Sequence, residues 1–153
     1  MTLHTTLFLF CAFFYLPTYA KEPAVDLGYS VYKGTSLNNG QNQFLGIRFA
    51  APPLGNLRFR KPQVPLSTKN VQAATAFGPF CLSVQGPLDP VLLKCQGEDC
   101  LFLNVWAPST SISTERFPVF FYIGGGGYNW DLDPNASLHC PFLLKILIDW
   151  TLV

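Results

Sequence analysis

Short apolar runs alternate with turn-forming residues along most of the chain, a layout that predicts brief strands rather than long helices. Residues 25–32 and 43–49 read as strands, and Asn38-Asn39-Gly40 between them marks a hairpin turn. Pro52, Pro53, Pro62 and Pro65 keep residues 51–65 out of helix and predict a segment running extended over a surface. Residues 73–85 carry no regular pattern. Residues 101–106 alternate, with Leu101, Leu103 and Val105 on one face and Phe102, Asn104 and Trp106 on the other. The run Val-Phe-Phe-Tyr-Ile at 119–123 is apolar throughout and predicts a strand buried on both faces, as in a parallel sheet covered by helices. It ends in four glycines, residues 124–127. Residues 138–153 are again apolar, but with neither helical nor strand periodicity, and the chain has no internal repeat.

The first twenty residues have their own logic. Residues 7–16 read LFLFCAFFYL, and Thr18 and Ala20 set small residues at positions −3 and −1 before Lys21. The run is too short to cross a bilayer and suits the apolar core of a secretory signal peptide, although only the amino terminus and His4 supply positive charge ahead of it. The sequence therefore predicts a signal peptide at 1–20 and a secreted mature chain starting at Lys21.

Secretion changes the meaning of the cysteines. Cys11 departs with the leader, while Cys81, Cys95, Cys100 and Cys140 remain and are disulfide candidates in an oxidising compartment. No paired Cys or His spacing fits zinc, so no metal site is expected, and no motif calls for a cofactor. An Asn-Ala-Ser triplet makes Asn135 a glycosylation candidate. Of 153 residues, 49% are hydrophobic, 15% aromatic and only 12% charged, with a net charge of +1. Without a basic patch, nucleic acid is excluded as the expected partner. No stretch of the mature chain is long and apolar enough to predict a transmembrane span.

A strand that runs into Gly-Gly-Gly-Gly-Tyr has a chemical reading. Glycines admit positive φ and close approach to backbone N–H groups, and several such groups aimed at one point can hold a developing oxyanion. Each donor in a preorganised site is worth about 3–4 kcal/mol of barrier. A flexible linker is the competing reading of a glycine run; its position after an apolar strand favours the site.

Three ordered motifs then converge. Residues 98–108 read Glu-Asp-Cys-Leu-Phe-Leu-Asn-Val-Trp-Ala-Pro. Upstream stand Phe-Leu-Gly-Ile-Arg-Phe-Ala at 44–50 and Pro-Pro-Leu-Gly-Asn-Leu-Arg-Phe at 52–59, and downstream Ile-Gly-Gly-Gly-Gly-Tyr at 123–128. Together they resemble the signatures of the type-B carboxylesterase/lipase family, which includes the cholinesterases. The resemblance covers most of residues 26–134. It implies oxyanion-hole N–H groups from Gly126 and Gly127, a Cys81–Cys100 disulfide, and a structural ion pair between Arg58 and Glu98. Arg48 departs from the family's usual proline, and Gly124 stands where many members have a larger residue.

The implied fold is the N-terminal portion of the α/β-hydrolase fold, a mixed, mostly parallel sheet, here incomplete. The implied activity is hydrolysis of carboxylic esters through an acyl-serine intermediate that water releases. Yet no serine has glycine both two before and two after it, as the family's nucleophile elbow requires, and the acid and base follow later still in the family. Ser83, Ser109, Ser137 and His139 are therefore given no catalytic part, and the 153 residues are expected to be inactive alone. The alternative reading is a non-catalytic binding protein, or a fragment that complements a C-terminal esterase polypeptide. A choline ester is a poor parent substrate, since the loop between Cys81 and Cys100 contains no aromatic face for a cation. Residues 21–137 are assigned to the esterase domain. Residues 138–153 form a divergent tail expected to be foreign to the fold, with a buried helix as the alternative. The strand at 119–123 should then keep one edge and much of its apolar surface uncovered.

N-terminal sequencing of exported protein should begin at Lys21. A retained Met1, or protein confined to the cytosol, would remove the signal peptide from this reading.

Overall fold

The computed structural model describes residues 22–82, 95–109 and 117–123, and the backbone of 144–148. Strands β1 (Ala24–Asp26) and β2 (Val31–Lys33) pair antiparallel, with Val25 opposite Tyr32. The strand expected at 25–32 is thus folded back on itself. The reason is local: Asp26 Oδ1 accepts the Gly28 N–H at 2.8 Å, Gly28 takes φ +81°, and Leu27 N–H donates to the Ser30 carbonyl at 3.1 Å. An aspartate that captures the amide two residues on makes a turn of what the apolar pattern alone presents as a strand.

The predicted hairpin forms one strand later. β3 (Thr35–Ser36) runs antiparallel to β4 (Gln41–Arg48). Gly40 closes the turn at φ +77°, and Asn39 Oδ1 accepts the Gln41 N–H at 3.2 Å. Between β4 and β5 (Gln72–Ala73), the proline-rich segment holds only one 3-10 turn, Gly55–Leu57. β5 lies parallel to β2 and completes a three-stranded sheet, β1-β2-β5. β6 (Phe80–Cys81) and β7 (Gln96–Gly97) form a separate two-stranded piece.

β8 (Phe102–Pro108) pairs antiparallel with β4, but not in continuous register. Phe44 faces Val105 and Ile47 faces Leu103, so Leu45 and Gly46 together oppose Asn104 in a β-bulge. Gly46 sits at φ +70°, and a Cβ there would lie 2.6 Å from the Ala76 carbonyl oxygen. The bulge removes the Gly46 amide from the ladder, and Asn104 Oδ1 accepts it at 2.9 Å. Leu45 stays buried but its amide leaves the ladder with β8: its N–H donates to the Ala74 carbonyl at 2.8 Å, while Ala74 N–H donates to the Lys33 carbonyl at 2.7 Å. One extra residue in β4 thereby laces the larger sheet to the smaller. Between them sits the core, Tyr32, Phe44, Ile47 and Ala74, with Val25, Tyr29, Leu103 and Val105 packed against it.

The larger sheet has five strands in the order β3-β4-β8-β10-β9. β9 (Val119–Ile123) is at its edge, and β10 (Leu144–Ile148) lies between β9 and β8. β10 is parallel to β8 and antiparallel to β9. The sheet is mixed, as expected of this part of the fold, although only one of its four described pairings is parallel. β10 departs from the expectation for residues 138–153, which assigned no strand there. Its sequence, Leu-Lys-Ile-Leu-Ile, is too short and too evenly apolar for a period to mark it, and it is identified as a strand by its pairing with β8 and β9. Among the described residues no α-helix is present, and no helix is long and apolar enough to cross a membrane.

β9 also departs from expectation. Its five side chains are 47–66% exposed, on both faces, rather than buried. One edge is hydrogen-bonded to β10; among the described residues no strand pairs with the other. An uncharged apolar edge of this kind is a template for intermolecular pairing. Phe120→Lys or Phe121→Lys should raise the soluble fraction and lower binding of a hydrophobic dye. Reduced solubility in both variants would mean that these side chains are covered in solution.

Candidate functional site

Register across β10 brings the two chemically suggestive stretches to one end of the sheet. Leu144 lies opposite Ile123 and Lys145 opposite Asn104, so β9 ends level with the start of β8. The glycine run begins directly after Ile123. The acidic motif Glu98-Asp99-Cys100 leads into β8 at that same end, and Arg48 closes β4 beside it, opposite Phe102. Gly126, Gly127, Asn135, His139 and Cys140 lie outside the described residues. Ser109 is described, and it sits at the far end of β8, where its N–H donates to the Gly40 carbonyl at 2.8 Å.

The motif is fastened three times. Cys81 and Cys100 are joined, with an S–S distance of 2.05 Å and a Cα–Cα distance of 4.9 Å. Cys81 is brought there by the β6–β7 pairing, in which it stands opposite Gly97. Phe80 beside it is 2% exposed and its N–H donates to the Cys95 carbonyl at 3.0 Å. Arg58 reaches Glu98, 40 residues further along the chain, its Nε donating to Oε2 at 2.9 Å and its Nη2 to the same oxygen. Both partners are largely in solvent, so this pair contributes only about 0–1 kcal/mol.

The third fastening was not legible beforehand. Arg48 grips Asp99 with both ends of its guanidinium, Nη1 to Oδ1 at 2.6 Å and Nη2 to Oδ2 at 2.5 Å. Its carbon centre lies 4.5 Å from the centroid of the Phe102 ring. Hydrogen bonding to Asp99 raises the Arg48 pKa above its already high ordinary value, outweighing the opposing effect of burial. Parallel, charge-assisted hydrogen bonds of this geometry are stronger than a single exposed contact, and the aromatic face adds to them. The signal was two adjacent carboxylates facing two upstream arginines; only one pairing was expected. Among the described residues no cluster of His, Cys, Asp or Glu could hold a metal ion.

The fold so assembled, the N-terminal strands of an α/β-hydrolase sheet with a glycine run at one end, defines a class of hydrolytic folds. The family model described as "Carboxylesterase family" matches residues 21–142, and the chain belongs to that family. The match runs past residue 137, where the esterase-like part was expected to stop. Fatty acyl-CoA hydrolase precursor, medium chain, of Anas platyrhynchos is 36% identical over 124 residues, covering 71% of this chain and 22% of that protein. Carboxylesterase 5A of Mus musculus is 44% identical over 95 residues, covering 57% and 16%. The crystal structure of Aspergillus niger EstA superposes with a TM-score of 0.67 at 38% identity, covering 84% of this chain and 25% of that one. The chain thus spans about a fifth of the length of the curated relatives it matches.

Tyr29 offers a test of the geometry around Arg48, because its hydroxyl donates to the Arg48 carbonyl at 2.6 Å. Burial, then the proximity of Tyr32, raises its pKa from 10.0 to about 12. The folded chain therefore holds this proton more tightly than the unfolded one. The associated stability is intact below pH 10 and is lost as pH rises from 10 to about 12. Tyrosinate absorbance should show a late-titrating component that is absent in Tyr29→Phe. That variant should also lose less stability across the same interval.

Proposed function

We propose that these residues contribute the N-terminal, oxyanion-binding part of a secreted carboxylic ester hydrolase. The observation that carries the reading is the meeting, at one end of the sheet, of the strand that leads into the glycine run with the Glu98-Asp99-Cys100 motif. In this reading the N–H groups of Gly126 and Gly127 bind the oxygen of the tetrahedral intermediate. A serine attacks the ester carbonyl carbon, the alcohol leaves, and water releases the acid from the acyl-serine. The disulfide and the Arg58–Glu98 and Arg48–Asp99 pairs hold the wall from which that site is built. Residues 1–20 act as the leader and Asn135 carries glycan.

The 153 residues contain no Gly-x-Ser-x-Gly elbow, so the nucleophile is not among them. The polypeptide by itself should hydrolyse no p-nitrophenyl ester with a burst or with saturation, and should form no adduct with an organophosphate probe. A stoichiometric adduct on any of its serines overturns this. Co-expression with an esterase polypeptide carrying the elbow extends the test. If activity appears there, Gly127→Pro, which removes one donor, should cut kcat about 10²–10³-fold. Unchanged turnover would take Gly127 out of the oxyanion hole. The exposed side chains of β9 favour this second arrangement, a fragment completed by another polypeptide, over a free-standing binding protein.

A further inference from the structure

A net charge of +1 hides an uneven distribution. Residues 27–88 carry six basic side chains, Lys33, Arg48, Arg58, Arg60, Lys61 and Lys69, and no acidic one. Three of the six are paired: Lys33 with Glu22, Arg48 with Asp99 and Arg58 with Glu98. Among the described residues, Arg60, Lys61 and Lys69 have no ion-pair partner. Arg60 and Lys61 directly follow Phe59, which is fully exposed. We propose that the loop 52–62 docks the protein on an anionic lipid surface, with the Phe59 ring entering the interface and Arg60 and Lys61 meeting the headgroups.

The loop is built to project. The N–H of buried Ala51 donates to the Gln63 carbonyl at 2.9 Å, which pins the two ends together, and Arg58 ties the loop to Glu98. At its tip the N–H groups of Leu57, Arg58 and Arg60 donate to the carbonyls of Leu54, Gly55 and Leu57 at 3.0, 3.3 and 3.2 Å, so the tip is folded rather than slack. Every residue from 54 to 64 is exposed. Among the described residues Phe59 is the one non-glycine with a positive φ, +57°. A bulky side chain is thus held in a backbone conformation that favours glycine, and held out into water. Leu54 and Leu57 on the same loop, and Val64 just beyond it, are exposed as well.

An apolar side chain alone does not say what covers it; the adjoining cations do. Anionic headgroups attract lysine and arginine at a lipid surface, and an aromatic ring beside them enters just beneath. β9 is also exposed and apolar, but it carries no charge and lacks this pairing. A nucleic acid would use the cations and leave Leu54 and Leu57 in water. The inference is independent of any ester chemistry.

The exported chain should cosediment with vesicles of phosphatidylcholine mixed with phosphatidylserine, less so as salt is raised, and weakly with phosphatidylcholine alone. Phe59→Gly removes the ring and suits the backbone. It should keep or raise stability to denaturant while weakening vesicle binding at least about ten-fold. Arg60→Gln and Lys61→Gln together should weaken it about 25-fold, about five-fold for each charge lost. Phe120→Lys, on β9, should bind at least as well as the parent. Loss of stability in Phe59→Gly would mean that the ring is packed within the protein, and would overturn the proposal. So would a failure to cosediment, equal binding to both vesicle types, binding abolished by Phe120→Lys, or a preference for duplex DNA over vesicles.

Discussion

The Gly46 amide and the Asn104 carboxamide, 58 residues apart in sequence, meet at 2.9 Å inside the fold, and the arrangement of both sheets depends on that contact. Asn104 is 2% exposed, so its polar group is affordable only because the bulge in β4 presents a donor to it. Without the carboxamide the amide would be left unpaired, at a cost of about 1–3 kcal/mol. Without the bulge, Leu45 would stay in the ladder with β8 and would not reach Ala74. The smaller sheet would then lose its backbone link to the larger one through Leu45 and Ala74. A polar residue in an apolar strand thus specifies where two layers join.

The acidic motif illustrates how unequal two similar ion pairs can be. Arg58 and Glu98 have side chains 52% and 38% exposed, and water competes for both. Arg48 and Asp99 are 30% and 34% exposed, bidentate, and backed by the Phe102 ring. Arg48 also occupies a position where the family usually has proline, a residue with no side chain able to reach Asp99. The substitution adds a clamp and costs β4 no ladder bond, since arginine keeps the amide that proline lacks.

What could be read from the sequence was local or carried by motif. Gly40 marked its hairpin, the alternation over 101–106 most of the strand at 102–108, and the Glu98-Asp99-Cys100 signature its family. What could not be read depended on neighbours. Val25 to Tyr32 looks continuous by hydrophobicity, and only the Asp26 side chain folds it back at Gly28. Asn104 looked like the polar member of an alternating face, and its burial follows from a bulge on a different strand. Val119 to Ile123 has the composition of a covered strand, but composition does not say which neighbours lie over it. The apolar run at 144–148 is too short for a period of two to show, and only its pairing with β8 and β9 identifies it as a strand.

The position of β10 has a consequence for the order in which the sheet can be assembled. β8 and β9 are close in sequence, yet they do not pair; the described hydrogen bonds of β9 run to β10. A nascent chain can complete β4 with β8 as soon as residue 108 has emerged. β9 must wait, its apolar side chains unanchored, until the chain has been synthesised from Ile123 through Ile148 and 144–148 can slot in beside β8. Such a late, non-local insertion is slow compared with hairpin closure. The interval in which β9 stands alone is when a chaperone, or another copy of the chain, has its best opportunity to bind it.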